Sequence, residues 1–347
     1  MTLTIKTFDN IYPSIYDFEN LECAYIKARR SKRSQDEVLR FSFNLESNLI
    51  QVQNELIYKT FETGRYRFFY VYDPKTRLVA SLPFKDRVVQ HALCNIVEPL
   101  FEPRFIFDSY ACRKGKGMHA GANRVTSFLR ETKRKWGNVY CLKCDIEKYF
   151  PSINHSILKR VIRRRISCPD TLWLIDEIID SSGGGDWERR GLPIGNLTSQ
   201  LWANVYLDVL DHFVKEELRE RYYVRYMDDF IILGPDKSHL WGVKHEIEHF
   251  LDEKLSLRLN GKTGIAPIEQ SIDFLGYRIW STHRRLRKSS KKRMKRKLKA
   301  FQRKYKNNEM EFEKINACIQ SWLGHARHCD SYNLCKKLLN GTIFTKN

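Results

Sequence analysis

No stretch of this 347-residue chain approaches the roughly 18 consecutive apolar residues that a membrane-crossing helix needs. The opening Met1-Thr2-Leu3-Thr4-Ile5-Lys6 also lacks the apolar centre of a signal peptide. A cytoplasmic protein is expected, with its nine cysteines kept reduced. Cys141 and Cys144 are spaced as in a zinc ribbon, but no second pair follows at that spacing, so they read as small buried hydrophobes in a strand. His325, His328, Cys329 and Cys335 crowd together near the C-terminus; His325 and His328 at i, i+3 suit one helix face, a spacing that a helix packing on nucleic acid also produces, and the group is read as structural. The run Arg113-Lys114-Gly115-Lys116-Gly117 has neither the spacing nor the Ser/Thr of a Walker A loop. From Arg284 through Lys306 there is no Asp or Glu.

Positive charge is what the chain has in excess. Its 61 Lys and Arg against 41 Asp and Glu leave a net charge of +20 and a pI near 9.5, the balance of a protein whose partner is a polyanion. A hydrophobic content of 42% is enough for a sizeable core, so the charge is not a mark of disorder. The length suits two domains or one multi-lobed enzyme. In the acid-free block, Leu286, Met294, Leu298, Phe301 and Tyr305 are interleaved with the cations, and the last four fall at helical steps, giving a helix with one apolar side. No other lipid signal accompanies it, and tracking a nucleic-acid groove accounts for it better than a membrane surface.

Periodicity predicts further elements. Leu45, Leu49, Val52, Leu56 and Ile57 form one inward stripe of a helix. Tyr66 to Tyr72 and Leu78 to Leu82 form a two-strand ribbon about an Asp73-Pro74 turn. A helix-rich segment from Val88 to Lys135 is broken at Pro99, Pro103 and Gly115-Lys116-Gly117. Ser156 to Arg165 is a basic amphipathic helix, Ser181 to Asp186 a flexible break, Leu197 to Leu218 a buried helix, Gly242 to Leu259 a helix then a strand, and Leu259 to Thr263 a turn.

Two carboxylates stand side by side in Tyr226-Met227-Asp228-Asp229, between the strand-like runs Tyr222 to Arg225 and Phe230 to Leu233. The pattern reads as a hairpin with acids at its tip. Such a pair repels itself unless a cation holds it. Asp145 closes the strand-like run Val139 to Cys144 and is the candidate third ligand. Hard oxygen donors from two strands suit a divalent metal. Two magnesium ions roughly 3.5–4 Å apart would clamp an attacking 3′-hydroxyl and the leaving pyrophosphate. An Asp-Asp dipeptide alone is more often a solvated turn; the flanking strands and Asp145 reverse that reading.

Asp145 with Phe150 five residues on, then Gly191-Leu192-Pro193-Ile194-Gly195 through Ser199-Gln200, then Tyr226 to Asp229, resemble in this order the palm of a reverse transcriptase. Ser81 to Gln90, Glu98 to Pro103, Ser109 to Gly117 and Phe274-Leu275-Gly276-Tyr277 resemble segments of bacterial group II intron-type enzymes, and the likeness runs from about residue 20 to about residue 340. It implies an α+β right-hand polymerase of fingers, palm and thumb, with an antiparallel palm sheet and a helical thumb. The expected divisions are 1–60 N-terminal extension, 61–138 fingers, 139–280 palm with finger-palm helices inserted, and 281–347 thumb, leaving no room for a DNA-binding or nuclease domain.

The resemblance also implies roles. Asp145, Asp228 and Asp229 would be catalytic and bind two Mg²⁺, replaceable by Mn²⁺, with Ile146 counted in the metal- and nucleotide-binding sets. The ribbon would fold over the incoming nucleotide, making Arg77, Lys85 and Arg87 candidates for its triphosphate, though each also suits a surface charge. Phe150 would be the steric gate against a ribose 2′-hydroxyl. Ile194, Gly195 and Gln200 would line the nucleotide. Lys262 would be the general acid for pyrophosphate, or simply an exposed turn lysine. Arg113 to Gly117 would touch the template backbone, or be an ordinary turn. Phe274 to Ile279 would be the primer-grip hairpin. Template RNA, primer or cDNA, and deoxynucleotides are the expected partners, with no membrane.

Two departures refine the resemblance. Retroviral and group II intron relatives usually carry Gln at the position of Ile194 and often Pro at that of Gln200. Pro193-Ile194-Gly195-Asn196-Leu197-Thr198-Ser199-Gln200 instead resembles the reverse transcriptases of diversity-generating retroelements. Those enzymes copy a template-repeat RNA with errors at template adenines, and usually work with a small basic helical accessory protein. Neither the Asn-Ala-x-x-His nor the Val-Thr-Gly element of retron enzymes is present. Replacing an amide by the hydrocarbon of Ile194 removes an orientation-dependent hydrogen bond, and losing about 1–1.5 kcal/mol of discrimination raises errors roughly tenfold. An intron-like or defence-associated enzyme of ordinary fidelity, and a non-catalytic RNA-binding scaffold, are the alternatives.

Overall fold

A computed structural model of the chain describes residues 7–72, 75–182 and 189–346. Met1 to Lys6, the Asp73-Pro74 turn and the Gly183 to Asp186 part of the expected break lie outside the described residues. By contacts the chain forms two compact bodies, both discontinuous in sequence: Met1–Phe107, Asp145–Arg219 and His245–Gly261 in the first, Asp108–Cys144, Glu220–Lys244 and Lys262–Asn347 in the second.

In the first body the helix Leu45–Ile57 buries Leu49, Val52 and Leu56. Ile57, expected on the same stripe, is exposed, because one step past Leu56 turns a side chain about 100° round the axis. The helix Phe84–Phe101 runs through Pro99, where a break was expected. One hydrogen bond lost in its last turns is outweighed by the buried row Val88, Val89, Ala92, Leu93 and Val97. Strands β1 (Arg67–Val71) and β2 (Arg77–Ser81) form the expected ribbon, antiparallel with Phe69 opposite Val79. All of β1 is exposed, whereas Ala80 of β2 is buried.

The basic helix forms over His155–Arg163, with Asn154 capping it by accepting from the Ile157 N–H. Lys159 and Arg163 point at Asp180 and Asp176 of the helix Pro169–Asp180, at 2.7 and 2.5 Å. The helix Leu197–His212, prolonged by a wider turn over Phe213–Glu217, buries Leu201, Val205, Leu207, Leu210 and Val214 as expected. The helix Lys237–Leu255 starts before the expected Gly242, and the strand expected after it is reduced to a single bridge between Ile146 and Leu259.

The second body is built on a four-stranded sheet. Its strands are β3 (Tyr140–Asp145), β4 (Tyr223–Tyr226), β5 (Asp229–Gly234) and β6 (Gly264–Pro267), in the order β4-β5-β3-β6. The pairs β4/β5 and β3/β6 are antiparallel. The helix Met118–Trp136 lays Val125, Phe128 and Leu129 into the same core as Cys141, Val224 and Ile231. A second sheet joins β7 (Ile272–Phe274), β8 (Tyr277–Ile279) and β9 (Arg284–Leu286), the β7/β8 turn carrying positive φ at Leu275 and Gly276. Leu286 therefore belongs to a strand, and the cationic helix begins after it, at Lys288–Lys306. Met294, Leu298 and Phe301 pack against Ile315 and Ile319 of the helix Phe312–Ala326.

Candidate active site

In the second body, Tyr226 pairs with Asp229, which leaves Met227 and Asp228 as a two-residue hairpin turn. Met227 has φ 57, a left-handed conformation that glycine usually supplies at the first position of such a turn. For a methionine it costs roughly 1–2 kcal/mol. Asp228 and Asp229 are half-buried. The Lys143 ammonium, on neighbouring strand β3, lies 3.6 Å from Asp229 Oδ1 and offsets its charge. Beneath them Cys141 is buried; burial pushes its thiol up to about 12, Lys143 opposing and Asp229 adding to the shift. Burial likewise raises the Tyr226 phenol. Cys141 and Cys144 are thus packed thiols, as the strand pattern implied. Lys262 is exposed in the turn before β6. In the Arg113 to Gly117 loop, Arg113 Nη1 donates to the Ser109 carbonyl at 2.8 Å, Lys116 lies over the Tyr110 ring at 5.0 Å, and the Gly117 N–H donates to the Tyr110 carbonyl at 2.9 Å. Arg113, Lys116 and the Gly117 amide are thus turned onto the protein itself, while Lys114 is exposed.

In the first body, Asp145 is held by one residue in two ways. The Asn260 backbone N–H donates to its carbonyl at 2.7 Å and Asn260 Nδ2 donates to its Oδ2 at 3.1 Å. Ile146 is buried and bridges to Leu259. Phe150 is half-buried, edge-on to Tyr149 at 5.6 Å, and its carbonyl accepts from the Leu192 N–H at 2.9 Å. Ile194 presents its carbonyl to the Ala80 N–H at 2.8 Å, so β2 is docked onto the 194–195 loop. Gly195 has φ 126, and a Cβ there would stand 2.6 Å from the Ala80 carbonyl oxygen.

Gln200 and Arg87 line one small cavity of about 190 Å³ with Lys32, Gln90, His91 and Asn196. Burial, then the charges of Lys27, Lys32 and Arg87, push His91 down to about 4. Arg87 is ion-paired with Glu37, and Lys85 with Glu55 at 2.8 Å. Arg77 is exposed at the start of β2. Of the expected nucleotide residues, this body brings Arg87, Gly195 and Gln200 to one cavity and sets Ile194 against the ribbon.

Near the C-terminus the Tyr277 hydroxyl donates to the His325 carbonyl at 2.9 Å and lies 3.0 Å from His119 Nδ1, while His119 stacks on His328 at 3.6 Å. Burial lowers the pKa of His119 and His325. Stacking and hydrogen bonding thus join His119, Tyr277, His325 and His328 to one another. Among the described residues no three His, Cys, Asp or Glu are grouped so as to hold a metal. The donor chemistry of Asp145, Asp228 and Asp229 is nonetheless all carboxylate oxygen, which fits a hard cation. Sequence reading passed over Lys143, Asn260 and Arg225. Lys143 had a signal, since it is two residues from Asp145 and shares its strand face; Asn260 had none.

Residues 72–279 match the family described as reverse transcriptase (RNA-dependent DNA polymerase). The chain is 27% identical to Protein YkfC of Escherichia coli K12, over 60% of this chain and 65% of that protein. It is 26% identical to the group II intron-encoded protein LtrA of Lactococcus lactis, over 59% of this chain and 44% of that one. The chain thus spans less than two thirds of either relative. Apo telomerase from Candida tropicalis is similar in structure, with a TM-score of 0.50 and 13% identity over 66% of this chain and 49% of that one. At that identity the likeness is one of fold, that of a right-hand polymerase.

Proposed function

Because this chain belongs to the reverse transcriptase (RNA-dependent DNA polymerase) family, we propose that it extends a primer 3′-end with deoxynucleotides on an RNA template. The observation that carries the reading is the β4–β5 hairpin, with Asp228 in its turn and Asp229 at the head of β5, in a sheet where the neighbouring β3 ends at Asp145. These carboxylates would hold magnesium or manganese, with Ile146 beside them. Bound there, the ions would activate the 3′-hydroxyl and offset charge on the pyrophosphate.

The chain's own groups do the rest. Asn260 donates to Asp145 and orients its carboxylate, and the Lys143 ammonium offsets the charge of Asp229. Phe150 excludes a ribose 2′-hydroxyl. Arg77, Lys85 and Arg87 take nucleotide phosphates; since Lys85 and Arg87 already face Glu55 and Glu37, they exchange one anion for another. Ile194, Gly195 and Gln200 line the nucleotide. Lys262 gives a proton to the leaving pyrophosphate.

The finer reading is a diversity-generating enzyme, error-prone at template adenines and assisted by a small, oligomeric, basic helical protein. It is supported by the hydrocarbon of Ile194 directly before Gly195. Similarity to LtrA favours an ordinary-fidelity intron-like enzyme as the second reading. The test is primer extension with Mg²⁺ on a defined RNA, with sequencing of the cDNA from wild type and Ile194→Gln, beside an Asp228→Ala/Asp229→Ala control. Extension lost in the control, and errors at adenines that fall in Ile194→Gln, are expected. Accurate wild-type cDNA selects the intron-like reading, and no extension even with cognate RNA and accessory protein leaves only a scaffold.

A further inference from the structure

Arg225 is completely buried, at 0% exposure, although guanidinium groups are seldom taken out of water without a task. It is the third residue of β4, opposite Phe230 of β5. Its backbone is fixed from the side away from β5: its N–H donates to the Asp108 carbonyl at 3.0 Å and its carbonyl accepts from the Tyr110 N–H at 3.0 Å. Asp108 is itself buried and accepts from Arg124 Nε at 2.7 Å. From this fixed base Arg225 Nη1 donates to the Met227 carbonyl at 3.1 Å. Met227 is the residue with φ 57. A strained, non-glycine turn persists only where its surroundings over-determine it, and this hydrogen bond acts directly on the strained peptide.

We infer that Arg225 is a positioning residue of the polymerase site, whose buried guanidinium holds the Met227 carbonyl and keeps the turn in the conformation that presents Asp228 and Asp229 together to a divalent cation. The inference rests on the polymerase reading and adds a residue that touches neither substrate nor metal. An arginine suits the task because its planar fork of donors is rigid and stays charged when buried, whereas a lysine ammonium is a flexible point charge. Loss of the bond frees the turn to relax toward a negative φ at Met227, which separates the two carboxylates without altering either.

The test uses the full chain with Arg225→Met, Arg225→Lys and Met227→Gly, each checked for cooperative thermal unfolding. Mn²⁺ binding is followed by electron paramagnetic resonance without nucleic acid, and the Mg²⁺ concentration for half-maximal primer extension is measured separately. Arg225→Met is expected to weaken Mn²⁺ binding about tenfold and raise the Mg²⁺ requirement by a similar factor, with Arg225→Lys recovering part of the loss. Glycine takes positive φ without strain, so in a Met227→Gly background the same replacement should cost no more than about threefold. Unchanged Mn²⁺ affinity in a folded Arg225→Met protein, or equal losses in both backgrounds, would overturn the inference and leave Arg225 as packing. If Arg225→Met does not fold, the cycle of Arg225→Lys with Met227→Gly decides, coupling supporting the role and additivity overturning it. Extension that survives Asp228→Ala would instead sink the polymerase reading itself.

Discussion

The ring of Phe150 packs edge-on against Tyr149, and its backbone is fixed by the hydrogen bond from the Leu192 N–H to its carbonyl. A ring so placed can exclude a hydroxyl by steric contact, because packed atoms resist overlap. Phe150→Ala is expected to raise ribonucleotide incorporation relative to deoxynucleotide by a factor on the order of 10 or more, since a steric term of about 1.4 kcal/mol corresponds to tenfold. Competitive single-nucleotide extension checks it, and a variant that excludes ribonucleotides as well as wild type would refute the gate. Phe150 could be proposed from the sequence because its spacing from Asp145 is local. Arg225 could not be: in Tyr223-Val224-Arg225-Tyr226 a basic residue in a strand looks like a solvent-facing position, and only packing reveals its burial.

Among the elements, β2 does two things at once. It pairs with the wholly exposed β1 and, through the Ala80 N–H, grips the Ile194 carbonyl at the start of the segment that leads into the helix Leu197–His212. Gly195 makes this possible, because its φ of 126 is costly for other residues and the Ala80 carbonyl leaves no room for a side chain. Gly195→Ala should therefore loosen the ribbon from the loop at a cost of about 1–3 kcal/mol. Faster hydrogen exchange at the Ala80 amide and a drop in kcat/KM for deoxynucleotides are expected; native exchange there with normal activity would show that the docking is dispensable. Element boundaries were less legible than element types. Pro99 predicted a break that its buried neighbours prevented. The basic helix His155–Arg163 was legible as basic and amphipathic, but that Lys159 and Arg163 face Asp180 and Asp176 of the next helix was not.

For the whole molecule the net charge of +20 would make the proposed binding to nucleic acid an electrostatic matter first. On the helix Lys288–Lys306 the apolar row Met294, Leu298 and Phe301 is buried, and Lys292, Lys295 and Lys299 are exposed in a row of their own. Replacing these three by Gln should weaken template-primer binding to a similar degree for every sequence. Each lost phosphate contact should flatten the slope of log K against log salt by about 1. Titrations at several salt concentrations measure this, and an unchanged slope would remove the helix from the binding surface.

The sequence by itself determined the family, the order of its motifs, the carboxylate hairpin and the cationic helix, because each depends on residue type and local spacing along one strand or one helix. Only the tertiary structure decided that Lys143 meets Asp229, that Asn260 holds Asp145, that β2 docks on Ile194 and that Arg225 is buried behind the strained Met227 turn. Those pairings, all but the Arg225 bond, join segments remote in the chain. Arg225 itself depends on a neighbour, the 108–110 segment, that no spacing in the sequence announces.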